Sequence, residues 1–497
     1  MAPAVTRRLV RFPPFVLAGL VALAGCGDQT ETLAGAGSDP PFRDRSLGGV
    51  SDVEDEITAP LQTSAEAEVE AAPLPPPADP DDLEAAAARA ETLVADPEER
   101  VREPTTAPTP APPAARPSAD GTLDRLCFSP KEDCLNLLLS YLQAETEGID
   151  IAIYHLYDSR ISEILIRKHG AGVPVRVLAD RHAYTVKASH RREMNRLAAG
   201  GVPVRTNRFR GIIHHKMTIL HGLGLVEQGS MNYTSIASRK VAGANGRPEW
   251  NEELAFFTTN RRVLARYRER FDRAWANTGG GQKAYLVFRP DMALPTFDEA
   301  EARKPVTCYE NPSPGPRPLR EDPLLSVCFG GDQQCNKDVV GPLVADENRR
   351  LDVIAFRLTV GSVTGPILER ARAGVSVRLI FERSQYAHPS YPSMTAFLNA
   401  LHEIGRATGE VAIRATAHQG FMHMKSVITS KAATWGSGNY TTTSSRHVRG
   451  CQSLYYQAED MIVAKDGSLV DRMRARFDEM WESRDFADWE PSGGAEE

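Results

Sequence analysis

The chain has 497 residues, 41% of them hydrophobic, with 58 Lys and Arg against 65 Asp and Glu for a formal charge of −7. That length allows two to four domains, and the hydrophobic content supports a packed core in part of the chain. The charge balance excludes a strongly basic, polyanion-coating chain.

Residues 1–26 read as an export signal. Arg7, Arg8 and Arg11 form a charged start, an apolar stretch follows from Phe15, and "LAGC" ends it at Cys26. The stretch is too short to span a bilayer. Leu23-Ala24-Gly25-Cys26 resembles a bacterial lipobox, in which the cysteine is lipidated and becomes the mature N-terminus. The alternative is an ordinary secretory signal with a chance cysteine. A lipid anchor would hold a soluble enzyme at a membrane surface of the cell envelope, periplasm-facing or on the cell surface.

Residues 27–120 read as a disordered tether. They hold 15 of the 35 prolines, with 21 acidic and 6 basic residues, a net of −15. Dense proline, high charge and low hydrophobicity cannot support a core. The signal contributes +3, so residues 121–497 carry +5. The folded part is mildly basic, which suits an anionic substrate.

Beyond Cys26, six cysteines remain, and export favours disulfides for them. "CFSPKEDC" (Cys127 to Cys134) and "CFGGDQQC" (Cys328 to Cys335) share one spacing. Local pairing within each leaves Cys308 for Cys451. The rival reading, a metal site, lacks clustered His and acidic ligands beside these cysteines.

The two Cys loops lie 201 residues apart and open a repeat. After the first come a helical run, "LNLLLSYLQAE", and an apolar strand, "IDIAIYHL". After the second come "VVGPLVADE" and "LDVIAFRL". Each half then offers an amphipathic helix, "RISEILIRKHGAG" or "SVTGPILERARAG", and a β-branched strand, "VPVRVLAD" or "VSVRLIFE". Each closes on a helix with one signature, "RFDRAW" (270–275) or "RFDEMW" (476–481). Alternation at this length predicts an α/β fold: two homologous lobes, 121–285 and 320–490, with mixed, largely parallel sheets flanked by helices. Residues 286–319 read as a proline-rich connector. A duplicated unit of this kind usually forms a pseudo-twofold pair, each half presenting half a site.

The repeat carries chemistry. "HHKMTILHGLGLVEQGSMNYT" (214–234) and "HMKSVITSKAATWGSGNYT" (423–441) each place a His-x-Lys before a Gly-Ser-x-Asn. On a strand, His214 and Lys216 share a face, as do His423 and Lys425, while His215 and Met424 turn away. Ser230 and Asn232, and Ser437 and Asn439, follow the same rule. Gly229 and Gly436 lack side chains where backbone could approach a ligand. Glu253 and Glu459 head apolar strands downstream.

In both copies and in order, these residues resemble the phospholipase D superfamily, whose signature is His-x-Lys-x4-Asp followed by Gly-Ser-x-Asn. The resemblance covers nearly all of 121–490. It departs at the Asp, which is His221 in the first half and Ser430 in the second. In the family that Asp supports the site rather than performing the chemistry, so efficiency is what the change puts in question. The resemblance implies metal-independent phosphodiester cleavage without a cofactor. His214, the nucleophile by family likeness, forms a covalent phosphohistidine, and His423 protonates the leaving oxygen. An ordinary pKa of about 6.5 suits imidazole to both roles. Lys216, Lys425, Asn232 and Asn439 would hold the non-bridging oxygens, with Ser230 and Ser437 beside them in the substrate-binding set. Glu253 and Glu459 would fix the far ring nitrogens.

Three functions compete at this point. A phospholipase D releasing phosphatidic acid from phosphatidylcholine-like lipids fits the fused two-copy chain, the tether and the anchor. An exported nuclease or other phosphodiesterase is the alternative, with nucleic acid as substrate, although +5 is modest for a polyanion groove. An inactive envelope- or lipid-binding module is the third. A fused pair has no need to dimerise, and a monomer is expected. Arg208 and Arg210 could extend a phosphate-binding rim or form a solvated edge. Trp250 and Trp435 suit core packing.

Overall fold

The computed structural model describes residues 122–209, 211–243, 246–278, 284–290, 292, 294, 324–445 and 456–491. The export segment with Cys26, the tether, most of the connector, Arg210 and the Cys308–Cys451 pairing lie outside the described residues.

The first half supplies strands β1 (Asp124–Ser129), β2 (Ile149–Ile153), β3 (Val175–Ala179), β4 (Val204–Asn207), β5 (Gly211–Ile213), β6 (Lys216–Leu220), β7 (Leu225–Gly229), β8 (Val241–Ala242), β9 (Pro248–Glu249), β10 (Glu253–Thr258) and β11 (Tyr285–Val287). The second supplies β12 (Leu325–Phe329), β13 (Arg350–Ala355), β14 (Ser376–Phe381), β15 (Val411–Thr416), β16 (Ser426–Ile428), β17 (Ala433–Gly436), β18 (Tyr456–Ala458), β19 (Asp460–Ala464) and β20 (Phe486–Asp488). Two 8-stranded sheets result, ordered β1-β10-β7-β6-β2-β3-β4-β11 and β12-β19-β17-β16-β13-β14-β15-β20. Position by position the order is the same, so the duplication read from sequence is a duplication of topology.

Both sheets are mixed, with a smaller parallel share than expected. Only β2-β3-β4 and β13-β14-β15 run parallel. The reason lies in the motif. The strand that follows His-x-Lys returns through a short turn to the strand that ends at Gly-Ser, and a tight connection of this kind forces antiparallel pairing.

Strand period places the core. Leu254 and Phe256 of β10 face a cluster shared by both halves, with Trp435, Ile462, Met473 and Phe477. Their neighbours Ala255 and Phe257 face a core private to the first half. Met461 and Val463 of β19 do the same in the second. Both faces of the central strands are therefore covered, which is why they read as continuous apolar runs. Phe256 meets Trp435 across the seam with ring centres 5.1 Å apart. The two signature helices, Arg261–Ala276 and Gly467–Glu482, send Phe271 and Phe477 into the shared core. Asn260 and Asp466 cap them by accepting N–H groups of the first turn.

Cys127–Cys134 and Cys328–Cys335 are disulfides, as their spacing suggests. Among the described residues no helix is long and apolar enough to cross a membrane. No group of three or more His, Cys, Asp or Glu among them is placed to hold a metal ion.

Candidate functional site

Each motif histidine stands where its chain leaves the opposite lobe. β5 pairs in parallel with β18 of the second half, and the chain then turns into β6 of its own sheet. His214 lies in that junction, and its N–H donates to Ala458 O at 2.9 Å. The second half mirrors this. Met422 bridges Glu252, and the N–H of His423 donates to Glu252 O at 3.0 Å. The sequence reading put each His on the strand with its Lys. The structure puts it in the junction ahead of that strand, because the segment just before it is bound to the other lobe.

The glutamates are crossed between halves. His214 Nδ1 lies 2.6 Å from Glu459 Oε1. His423 Nδ1 lies 2.9 Å from Glu253 Oε2. Each half thus orients the other's imidazole, the reciprocal pattern of a twofold interface. Lys216 Nζ donates to His214 O at 2.6 Å, and Lys425 Nζ donates to His423 O. An aromatic ring backs each pair. Tyr154 lies 5.1 Å from the His214 ring and 5.3 Å from Lys216 Nζ. Phe356 stands at the same two distances from His423 and Lys425.

The electrostatics report one shared site. Burial pulls the His214 imidazole well below its ordinary range, and Lys216, Lys425 and His423 push it the same way. Burial takes His423 down to about 4, with Glu253 opposing and both lysines assisting. Lys216 is drawn down by burial to about 8, against Glu459 and Glu253, and Lys425 falls well below the ordinary lysine value for the same reason. Burial raises Glu459 to about 8. Histidines and lysines from both halves therefore feel one another in a single desolvated cluster. Two neutral rings beside two buried lysines can attack an anionic phosphorus and hold its oxygens.

The Gly-Ser-x-Asn segments serve these carboxylates. A Cβ on Gly229 would sit 2.0 Å from Leu254 O, and one on Gly436 2.2 Å from Asp460 O. Glycine lets the Glu-bearing strand approach, where the sequence reading had a ligand. Ser230 Oγ accepts from Leu254 N at 3.0 Å, and Ser437 Oγ accepts from Asp460 N at 3.0 Å. Both hydroxyls thus pin the residue after a glutamate. Asn232 and Asn439 are buried, each with an Oδ1 that bonds to nothing among the described residues.

Sequence reasoning missed a buried polar tie between the halves. Asp460 accepts from His215 Nδ1 at 2.8 Å, Tyr267 OH at 2.7 Å and Ser437 Oγ at 2.8 Å. His215 was read correctly as turned away from His214, but its partner lies 245 residues on. Glu252 ties the other side, accepting from Trp250 Nε1 at 3.0 Å and from Arg476 Nη2. Trp250 is also stacked on His418, 4.3 Å between ring centres. Trp435 is in the shared core, as expected. His155 and Arg357 were missed too. They follow Tyr154 and Phe356, and aligning "IAIYHL" with "VIAFRL" would have exposed them.

The missing Asp is explained by position. His221 stands five residues beyond Lys216, about 16 Å along the strand. Its turn is held instead by Glu145, whose carboxylate accepts the N–H groups of Gly222 and Leu223 at 2.9 and 3.0 Å. Glu347 does the same for Ser430 N at 2.5 Å. His221 itself bonds Asp150 at 2.7 Å. A cavity of about 1220 Å³ lined by His221, Leu223 and Arg268 belongs to this far end, away from the imidazoles.

A family model described as "Cardiolipin synthase, PLD-like domain" matches residues 138–275 and 345–481, together more than half of the chain. A mitochondrial cardiolipin hydrolase of Chlamydomonas reinhardtii is 26% identical over 148 residues, 30% of this chain and 60% of that protein. A phospholipase D of Rickettsia bellii is 29% identical over 116 residues, 23% of this chain and 56% of that one. The chain thus spans less than two thirds of the length of these relatives. The phosphatidylserine synthase of Haemophilus influenzae shares the fold, with a TM-score of 0.53 at 11% identity over 73% of this chain and 87% of that one. Two matched domains, each with its own His-x-Lys and Gly-Ser-x-Asn, make this chain a member of the phospholipase D superfamily of phosphodiesterases and lipid-modifying enzymes.

Proposed function

We propose that the protein is a phospholipid phosphodiesterase that cleaves head groups, phosphatidylcholine to phosphatidic acid being the reference reaction. The observation that carries this reading is the crossed pairing of His214 with Glu459 and His423 with Glu253 around two buried lysines. His214 Nε2 attacks phosphorus while Glu459 holds Nδ1, and the bond to the leaving oxygen breaks as His423 gives that oxygen a proton. His423 then takes a proton from water, which attacks the phosphohistidine and frees His214. Burial keeps both rings neutral in the free enzyme. The negative charge of an arriving phosphodiester offsets the ammoniums and favours protonation of His423. Lys216 and Lys425, with the amides of Asn232 and Asn439, hold the non-bridging oxygens.

Lipid is favoured over nucleic acid by the mouth of the site. Phe421, two residues before His423, is 43% exposed and meets Phe356 with ring centres 5.8 Å apart. An apolar ring at this place suits an acylated substrate, and a +5 fold carries little of a polyanion footprint. The names of the relatives, cardiolipin hydrolase and phospholipase D, point the same way. We place the chain in the cell envelope, anchored through Cys26, on the lipobox-like "LAGC". The test offers the protein, in EDTA, labelled phosphatidylcholine, cardiolipin and single-stranded DNA. Head-group release without nicking supports the lipid reading. Nicking alone overturns it in favour of a nuclease, and binding without turnover leaves only a lipid-binding module.

A further inference from the structure

The two halves differ in the residue that follows each backing ring of the shared site. Residue 155 and residue 357 hold equivalent positions, each next to the ring that backs a motif histidine. The first half puts His155 there, in a ladder with Tyr154 at 4.0 Å and Tyr157 at 5.1 Å. The second half puts Arg357.

Arg357 is held as a rigid plane. Its guanidinium carbon lies 4.4 Å from the Tyr391 ring centre and 5.2 Å from that of Phe356, and its Nε donates to Gln385 Oε1 at 2.7 Å. Among the described residues no carboxylate pairs with it, and neither Nη nitrogen makes a hydrogen bond to the protein. It is half-buried, and its charge reaches Lys425, already depressed by burial. A fixed guanidinium normally sits against a carboxylate. Here the fork is left free within reach of Lys425, an arrangement that can take a bidentate oxyanion. A lone structural arginine would spend its Nη donors on backbone or acid.

We propose that Arg357 forms a second anion subsite, which grips a phosphate flanking the one being cleaved and selects phospholipids whose head group carries a second phosphate. The inference rests on the phosphodiesterase reading of His214 and His423, and it commits to lipid because the subsite adjoins Phe356 and the exposed Phe421. It also gives the duplicated site a polarity: the Arg357 side takes the flanking anion and the His155 side does not.

The test compares wild type, Arg357→Gln and Arg357→Lys, all as the full chain with unchanged melting temperature. The probes are bis(p-nitrophenyl) phosphate, mixed micelles of phosphatidylcholine, mixed micelles of phosphatidylinositol 4-phosphate or diphosphatidylglycerol, and a thymidine pentanucleotide. Wild type should prefer the two-phosphate lipids over phosphatidylcholine by about tenfold or more in kcat/KM, the scale of one charge-assisted hydrogen-bond pair. Arg357→Gln should collapse that ratio towards one, through KM rather than kcat, and Arg357→Lys should recover part of it. Equal loss on every probe would reduce Arg357 to a structural role, and a wild type without preference would overturn the subsite. A pentanucleotide preferred over every lipid, and equally sensitive to Arg357→Gln, would overturn the lipid source. Absence of turnover on bis(p-nitrophenyl) phosphate by wild type would instead overturn the underlying phosphodiesterase reading.

Discussion

Replacing Glu459 by Gln isolates the crossed pairing. The substitution keeps size and polarity but removes the carboxylate 2.6 Å from His214 Nδ1. Both side chains are buried, so water cannot take the place of the lost partner. Removing the partner of a buried polar group costs about 1–3 kcal/mol. At about 1.36 kcal/mol per decade that is roughly five- to 150-fold in kcat. The amide can also donate to Nδ1 and trap the wrong tautomer, so the upper end is the better expectation. Steady-state turnover of a soluble phosphodiester, with a urea melt to confirm folding, measures the effect. The double variant Glu459→Gln with His214→Ala should lose little beyond His214→Ala alone, because the carboxylate acts through that ring. A folded Glu459→Gln enzyme that keeps kcat within twofold would refute the reasoning.

Other outcomes follow from the same geometry. Trp435→Ala empties a fully buried site on the seam and should cost about 3–5 kcal/mol in urea unfolding; a cost under 1 kcal/mol would contradict the shared core. His221→Ala should lower kcat less than threefold, since the residue lies at the far end of its strand, whereas Glu145→Ala should destabilise by about 2–3 kcal/mol through its orphaned turn N–H groups. Lys216 titrates at about 8 when folded, below its ordinary value, so the unfolded chain binds more protons from about pH 8 to 10.4. Wild-type stability should therefore rise relative to Lys216→Met across that window, by about 3 kcal/mol, while turnover, which needs the ammonium, falls. Urea melts and rates taken from pH 7 to 10 read both, and parallel trends would contradict the assignment.

The repeat, the motif and its local disulfides could be read from one chain because they rest on short-range patterns: a fixed Cys spacing, strand alternation, and types that recur in order. What crosses the seam could not. Strand period said that His214 and Lys216 share a side, but nothing local says that Glu459 rather than Glu253 faces His214. The pairing is set by β5 joining β18, a contact between segments over 240 residues apart. Asp460 was hidden for the same reason, because its partners His215 and Tyr267 belong to the other half. Gly229 and Gly436 were read as room for a ligand, yet a glycine can equally make room for a neighbouring strand, and only the packed sheet decides. The largely parallel sheet was overestimated because alternation of strands and helices cannot reveal that two motif strands form a hairpin.

The central claim is that imidazoles from separate lobes act on one phosphorus. Rapid quenching of the His423→Ala variant with a phosphodiester carrying a good leaving group, followed by mass spectrometry, tests it most directly. The account predicts a phosphorylated peptide that contains His214, absent in His214→Ala. Full turnover by either variant, or a label carried by neither histidine, would contradict it.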